Sequence, residues 1–404
     1  MSEQVSEDNL PIRVRLAKEE PKRVCLVGAG FLGKYFIKAF MGLNGGNELV
    51  VVDKAPDSVI YADEDLEFFK EDERVKTYWL SAGDALTLKP EFEGDKNIDA
   101  VVYTAALADV PYVEKNPMDG IQVNVNNPAA FVNFLGSIGY KGRFIFLSSE
   151  SVYGKHPDDE IPFKETTWTD PENIYGASKL AGEVMVRALC KKYGIPYVII
   201  RSATMFGPKA REKQVIPVFA KQVLTGKPVT LMGTGKTTSR DFIFVEDTVN
   251  AALVAVYGVK TLENNIYNIG TGKETYLLNL VNGIKTICNM NSDPGKPGYV
   301  PIKHIPQRGG EEGLRVVLDT TNAKERMKIK ESDAYGWEPE VEFREGLQQT
   351  LYWVGKEVCE FDEKELELMA ITFWPEKYAK TGKLAEYKGR GFETNENKSV
   401  DWKG

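Results

Sequence analysis

Three groups of residues in this chain have types and spacings suited to chemistry. The first is Tyr175 and Lys179, in the run Tyr175-Gly-Ala-Ser-Lys179. Side chains four positions apart lie on one face of a helix. A lysine ammonium beside a phenol stabilises the phenolate and lowers its pKa. Such a tyrosine can exchange a proton with a hydroxyl while hydride moves to or from a nicotinamide. The second is Ser149, in Ser148-Ser149-Glu150-Ser151-Val152-Tyr153-Gly154. It follows an apolar run, Phe144-Ile-Phe-Leu147, that reads as a buried strand. A hydroxyl at a strand's carboxyl end can hydrogen-bond a reacting oxygen, and open parallel sheets bind ligands at that edge. The third is Gly28-Ala29-Gly30-Phe31-Leu32-Gly33, with Asp53 twenty positions after Gly33.

That third spacing suits a strand–helix–strand dinucleotide unit. Gly28 permits a tight turn, Gly30 lets the backbone approach a pyrophosphate, and Gly33 allows close helix–strand packing. Phe31 and Leu32 open a helix whose N-terminus favours an anion. Asp53 accepts bonds from the adenosine ribose hydroxyls and repels a 2′-phosphate, which favours NAD over NADP. Lys54, directly after it, softens that preference.

These side chains need a frame. Val24-Cys-Leu-Val27, Leu49-Val-Val-Val52, Ala100-Val-Val-Tyr103, Phe144-Ile-Phe-Leu147 and Pro196-Tyr-Val-Ile-Ile200 are short apolar runs separated by helical stretches. Near-continuous apolar strands of this kind predict an α/β protein, a parallel sheet with helices on both faces. Residues 1–21 read as a polar N-terminal extension and 22–205 as the dinucleotide-binding domain. After Gly207-Pro208 the texture turns richer in Gly, Lys and Thr, as in Leu231-Met-Gly-Thr-Gly-Lys236. Residues 206–355 are therefore expected to form a smaller lobe, with 240–262 returning to the main domain. Residues 356–404 are an extension of unknown role, either a surface tail or dimer arm or a lid over the substrate.

The composition excludes several functions. The chain has 404 residues, 42% hydrophobic, enough for a full core. A net charge of −8 makes it a poor general binder of nucleic acid or anionic membrane. Two histidines and four dispersed cysteines, with no CxxC, predict no metal site and a reduced protein. No apolar run spans a membrane, and the charged N-terminus lacks a signal-peptide core. The expectation is a cytoplasmic protein.

The glycine turn, the Ser148–Gly154 run, the Tyr175/Lys179 pair, Arg201 to Pro208 (RSATMFGP), Arg240-Asp-Phe242 and Tyr267-Asn-Ile-Gly-Thr-Gly272 occur together. In combination they resemble the extended short-chain dehydrogenase/reductases, in particular the NAD-dependent nucleotide-sugar epimerases and dehydratases, from Arg23 to Trp353. The resemblance implies a Rossmann-type doubly wound parallel sheet with a smaller C-terminal α/β substrate-binding domain. It implies that Ser149 is the catalytic Ser/Thr, Tyr175 the acid/base and Lys179 its partner. Asp84, in Ala82-Gly-Asp84, matches the residue that contacts adenine. Tyr103-Thr-Ala105-Ala106 matches the loop flanking the cofactor, and Asn124 an asparagine near the active site. Arg240 and Arg308 match arginines that grip the substrate diphosphate, and Glu311 a carboxylate that holds the nucleoside ribose. Paired guanidiniums on a diphosphate are chemically apt. The resemblance also implies a homodimer, through the helices bearing Asn124 and Tyr175. Two places depart from the pattern. Val27 stands where the glycine motif usually begins, and Thr204 replaces the asparagine that touches the sugar in relatives.

The expected reaction is epimerisation of a nucleoside-diphosphate sugar. Tyr175 takes the C4 hydroxyl proton, NAD takes the C4 hydride, and the 4-keto sugar turns over before the hydride returns. The first alternative is a 4,6-dehydratase with Glu150 as acid. Dehydratases carry an acid and a carboxylate base directly after the catalytic Ser/Thr, and here the base position is Ser151, a poor acceptor for a C–H proton. The second alternative is an NAD(P)-dependent sugar oxidoreductase that releases its cofactor each turnover. A non-catalytic NAD sensor is disfavoured by the intact Ser149, Tyr175 and Lys179.

Overall fold

A computed structural model describes residues 10–54, 66–67, 69, 71–80, 82–93, 97–306 and 313–374. Its main elements begin with α1 (Ile12–Leu16), β1 (Arg23–Val27), α2 (Phe31–Leu43), β2 (Glu48–Asp53) and β3 (Val75–Trp79). Next come β4 (Ala100–Tyr103), α3 (Asn127–Ser137), β5 (Arg143–Ser149), α4 (Ile174–Tyr193), β6 (Tyr197–Ser202) and β7 (Thr204–Phe206). Then follow α5 (Val215–Leu224), β8 (Val229–Met232), β9 (Ser239–Phe244), α6 (Val245–Tyr257) and β10 (Asn265–Ile269). The last are β11 (Glu274–Tyr276), α7 (Leu277–Ile287), β12 (Ile302–Ile305), α8 (Phe343–Trp353) and α9 (Glu363–Phe373). The described residues fall into two units. Those up to Thr204, with Val245–Gly272 and Val316–Glu340, form the first, and Met205–Phe244, Lys273–Arg315 and those from Val341 onward form the second.

The first unit is the doubly wound α/β frame. Its seven strands run in the order β10-β6-β5-β4-β1-β2-β3, and every pairing is parallel. The five inner strands are covered on both faces, which is why their sequences are nearly continuous apolar runs, while the edge strands β3 and β10 mix polar and apolar residues. On one face Val27, Val50, Val101, Phe144, Phe146 and Ile199 pack with residues of α3 and α4. The alternate residues Leu26, Val51, Val102 and Ile145 are buried too. Strand order reverses between β1 and β4. Loops leaving such a switch point diverge and open a crevice at the carboxyl edge.

The return to this unit differs from the expected 240–262 span. β9 belongs to the second unit, α6 starts the return at Val245, and β10 supplies the seventh strand. Residues 316–340 also pack here, with Trp337 buried and its Nε1 donating to Asp247 O at 3.0 Å. Residues 10–21, expected as polar extension, are docked. Ile12 and Leu16 are buried, Ile12 N donates to Glu340 Oε1 at 2.7 Å, Arg13 Nε donates to Asn250 Oδ1 at 2.8 Å, and Arg15 pairs with Asp333.

The second unit holds a small sheet, β11-β9-β7, and a parallel pair, β12-β8. Its core gathers Phe206, Phe219, Phe242, Phe244, Leu280, Ile284, Leu347 and Leu351. The start of the 356–404 extension joins that core through buried Met369 and Phe373 on α9. A capping box starts this helix, with Glu365 N donating to Asp362 Oδ1 at 2.8 Å and Asp362 N donating to Glu365 Oε2 at 2.9 Å. Residues 375–404 lie outside the described residues.

Candidate functional site

The glycine loop leaves β1 at the switch point. Gly28 has φ +100°, a region that favours glycine, and a Cβ there would lie 2.5 Å from Ala105 N. Gly28 N donates to Val52 O at 2.8 Å, which ties the turn to β2. A Cβ on Gly33 would meet Gly28 O at 2.2 Å, so α2 approaches the loop only with glycine there. At Gly30, the residue before α2, a Cβ would meet nothing within 4 Å. Open space thus faces a helix N-terminus whose first N–H groups have no intrahelical acceptor. Leu32 is buried and Phe31 half-buried.

Asp53 ends β2, and its Oδ2 accepts from Ala29 N at 2.7 Å, which locks the carboxylate to the glycine loop. Asp84 is exposed on the 3₁₀ run Ala82–Leu88. After β4, Thr104 N and Ala105 N each donate to Val27 O at 2.8 Å, and Thr104 Oγ1 donates to Gly28 O at 2.6 Å. Ala105 is half-buried and Ala106 exposed. The open space at Gly30 and the carboxylate at the end of β2 fit the pyrophosphate and ribose of a dinucleotide.

Asn124 lies in a π-helical segment, Gln122–Asn126, and is buried. Its Oδ1 accepts from Leu107 N at 2.8 Å, and its Nδ2 donates to Leu107 O at 3.1 Å and Ser178 Oγ at 2.9 Å. Ser178 Oγ donates to Tyr175 O at 2.7 Å. The amide therefore joins the loop after β4 to the helix that carries Tyr175.

That helix, α4, begins at Asn173, whose side chain accepts from Gly176 N at 2.8 Å. Tyr175 is half-buried in its first turn. Lys179 is 2% exposed, donates to Leu147 O at 2.5 Å, and lies 4.4 Å from the Phe146 ring centroid. Burial lowers its pKa to about 8, opposed by the Glu183 carboxylate. Ser149 ends β5, paired in register with Ser202 of β6. Its Oγ accepts from Ser151 N and donates to Ser151 Oγ, both at 3.1 Å. Glu150 is 5% exposed, and its Oε1 accepts from Thr204 Oγ1 at 2.5 Å. The structure thus joins two sequence candidates, Glu150 and Thr204, that are 54 positions apart.

The sequence gives little warning of a buried polar chain linking α4, β6 and β10. Arg201 donates to Glu183 through Nε at 3.1 Å and Nη2 at 2.8 Å. Arg201 Nη1 also donates to Tyr153 Oη at 3.1 Å, and Tyr153 Oη donates to Asn268 Oδ1 at 2.6 Å. The one signal available is Glu183 itself, a carboxylate four positions after Lys179 on the buried stripe of the helix.

In the second unit, Arg240 sits on β9 opposite Thr275 of β11. Its Nη1 donates to Ser239 O at 2.8 Å and Leu314 O at 3.1 Å. Beside it Arg315 grips Glu274 through two bonds of 2.7 and 2.9 Å, and Glu274 Oε1 also accepts from Ser239 Oγ at 2.6 Å. This clamp fixes the strand ends whose carbonyls hold Arg240, and sequence reasoning missed it. Arg308 and Glu311 lie outside the described residues. Among the described residues no cluster of His, Cys, Asp or Glu suits a metal ion.

Comparison with known proteins gives a consistent pattern. The model of the NAD dependent epimerase/dehydratase family matches residues 24–270. A dTDP-D-glucose 4,6-dehydratase from Bos taurus is 29% identical over 334 residues, covering 82% of this chain and 88% of its own. A putative UDP-glucose 4-epimerase from Methanocaldococcus jannaschii is 30% identical over 264 residues, covering 64% and 78%. Among solved structures, the UDP-glucose 4-epimerase of Thermotoga maritima with UDP-glucose is similar at a TM-score of 0.68 and 26% identity, over 83% of this chain and 99% of that one. The dTDP-glucose 4,6-dehydratase of Streptomyces venezuelae, solved with NAD and TYD bound, shares the fold at a TM-score of 0.71 and 23% identity, over 85% and 99%.

Proposed function

The chain belongs to the NAD dependent epimerase/dehydratase family, and from that premise we propose that it epimerises a nucleoside-diphosphate sugar at C4 through a transient 4-keto sugar. The observation that carries the choice of epimerase is the pair of residues after Ser149. Glu150 is buried and accepts from the Thr204 hydroxyl, and Ser151 is occupied by the Ser149 hydroxyl. A 4,6-dehydratase must take a proton from C5, and no carboxylate stands at the Ser151 position to do so.

In this reading the Gly28–Gly33 loop and the N-terminus of α2 hold the NAD pyrophosphate, Asp53 the adenosine ribose, and Asp84 the adenine, with Ala105 and Ala106 flanking. The chemistry that NAD supplies when bound is reversible acceptance of the C4 hydride. Tyr175 removes and returns the C4 hydroxyl proton, and Ser149 orients the reacting oxygen. Lys179, one turn from Tyr175 on α4, supplies a charge that favours phenolate. Its bond to Leu147 O and its seat over Phe146 fix where that charge sits. Asn124 orients the cofactor loop through its bonds to Leu107. Thr204, with Glu150 behind it, shapes the sugar side, and Arg240, Arg308 and Glu311 bind the diphosphate and nucleoside ribose.

A homodimer is supported by Tyr112, Met118 and Ile121, with Val184 and Met185 on α4, apolar side chains left exposed on neighbouring helices. Sedimentation as a monomer at micromolar concentration would contradict it. Four free cysteines suit a reducing, cytoplasmic setting.

The test of the reaction is mass spectrometry after incubation with UDP-, dTDP-, GDP- and CDP-sugars. A new chromatographic peak of unchanged mass is the expected result. Glu150→Gln should leave its rate within about tenfold, since a general acid contributes more than that. A product lighter by one water, lost in Glu150→Gln, would instead make the protein a dehydratase.

A further inference from the structure

We propose that the buried Glu183–Arg201 ion pair sets the charge of Lys179, which makes Glu183 a positioning residue for the Tyr175–Lys179 couple. The proposal rests on the roles given above to Tyr175 and Lys179. Its basis is an arrangement of charges with almost no water nearby. The Lys179 residue is 2% exposed, and the side chains of Arg201 and Glu183 are 5% and 1% exposed. Glu183 is the single anion in this chain of three, one helical turn from Lys179 and forked by Arg201 on its other side. Removing its charge leaves two buried cations without the anion they share.

The neighbours of Lys179 leave that task to Glu183. From β5 come the Leu147 carbonyl and the Phe146 ring, both uncharged. Glu150 is turned to Thr204, and Tyr153 is bound to Arg201 and Asn268. The π-helical segment offers Asn124, and α3 carries no ionisable side chain. Glu114 accepts from Ile174 N at 2.7 Å at the start of α4, and Asp119 accepts from Tyr112 Oη at 2.8 Å, both at exposed positions. Tyr175 is the group Lys179 serves. Burial pulls the ammonium toward neutrality and the Glu183 carboxylate resists. A carboxylate held in a fixed fork does so without the entropy of a mobile partner.

The test compares the intact chain with Glu183→Gln and Glu183→Asp, each with and without Lys179→Met. Two readouts are taken. One is the alkaline limb of the pH–rate profile with the nucleotide sugar turned over fastest. The other needs no substrate: the pH at which the stability difference between each protein and its Lys179→Met counterpart begins to change. The expected result is a move of both toward acid by about one pH unit in Glu183→Gln, and no move in Glu183→Asp, whatever the loss in rate. If Glu183→Gln fails to fold, Glu183→Gln/Arg201→Gln removes the pair together and should still move the limb to acid. A merely structural ion pair would lower rate or stability and leave both pH positions in place, which would overturn the proposal. If Lys179→Met itself leaves the rate and its alkaline limb unchanged, the role of Lys179 fails instead.

Discussion

Replacing Asn124 with alanine should weaken stability and cofactor binding together. The side chain makes three hydrogen bonds, to Leu107 N, Leu107 O and Ser178 Oγ. Ser178 keeps its own bond to Tyr175 O and loses little. Leu107 keeps neither of these partners. A partly buried N–H left unmade costs about 1–3 kcal/mol and a weakened carbonyl about 1 kcal/mol more. The total loss is therefore about 2–4 kcal/mol, shared between unfolding and the ordering of the loop that flanks the cofactor. Each 1.4 kcal/mol or so expressed in the loop weakens NAD binding about tenfold. Urea unfolding with and without NAD, together with calorimetric titration of NAD, separates the two shares. Asn124→Asp keeps the acceptor for Leu107 N but buries a carboxylate against Leu107 O, and should be at least as damaging as alanine. Stability within about 0.5 kcal/mol of wild type, with unchanged NAD affinity, would refute the bridging role.

Other substitutions probe the rest of the site. Tyr175→Phe should lower turnover by about 10²- to 10⁴-fold while NAD stays bound, and near-normal rates would remove Tyr175 from proton transfer. Arg240→Ala should raise the substrate KM by about 10- to 100-fold, as expected for a lost charge-assisted phosphate contact, with NAD affinity unchanged; an unaltered KM would count against the diphosphate role. Lys179 has a folded-state pKa of about 8, lowered by burial and opposed by Glu183. Below that pH both states hold the proton and burial costs native stability in full. Between about pH 8 and 10.5 the unfolded chain binds more protons than the native one, so this contribution to stability improves as pH rises. Lys179→Met should thus be more stable at neutral pH, by up to about 3 kcal/mol, with the advantage shrinking toward pH 10. A gap that does not change with pH would show that the lysine is not desolvated.

What the sequence makes legible here follows from distance along the chain. The glycine turn depends on φ at Gly28 and on close approach at Gly33, both written into consecutive residues, so its type and place could be read directly. The five inner strands, β6, β5, β4, β1 and β2, were readable because both faces are covered and their sequences are nearly apolar throughout, whereas the edge strands β3 (VKTYW) and β10 (NIYNI) mix polar residues and left no such run. Tyr175 and Lys179 sit one turn apart on a single helix. The contacts that set their surroundings are long-range and use ordinary residue types. Thr204 meets Glu150, Arg201 meets Glu183, and Tyr153 meets Asn268, none with a local pattern that predicts its partner. The docked N-terminal segment was hidden for a related reason. Only Ile12 and Leu16 are buried on α1, too few for a helical period, and the rest of its attachment is polar. Residues 316–340 pack with the first unit through Trp337 and Glu340, and neither betrays its partner, Asp247, in sequence.

The central claim is that hydride leaves C4 of a nucleotide sugar and comes back to the same carbon. The direct measurement uses a nucleotide sugar carrying deuterium at C4, incubated with the enzyme in ordinary water and analysed by mass spectrometry and NMR. The account predicts an isomer of unchanged mass that retains the deuterium at C4 and gains no solvent hydrogen on carbon. Deuterium moved to C6 in a product lighter by one water would contradict it and assign a dehydratase, and deuterium lost to released cofactor would assign an oxidoreductase.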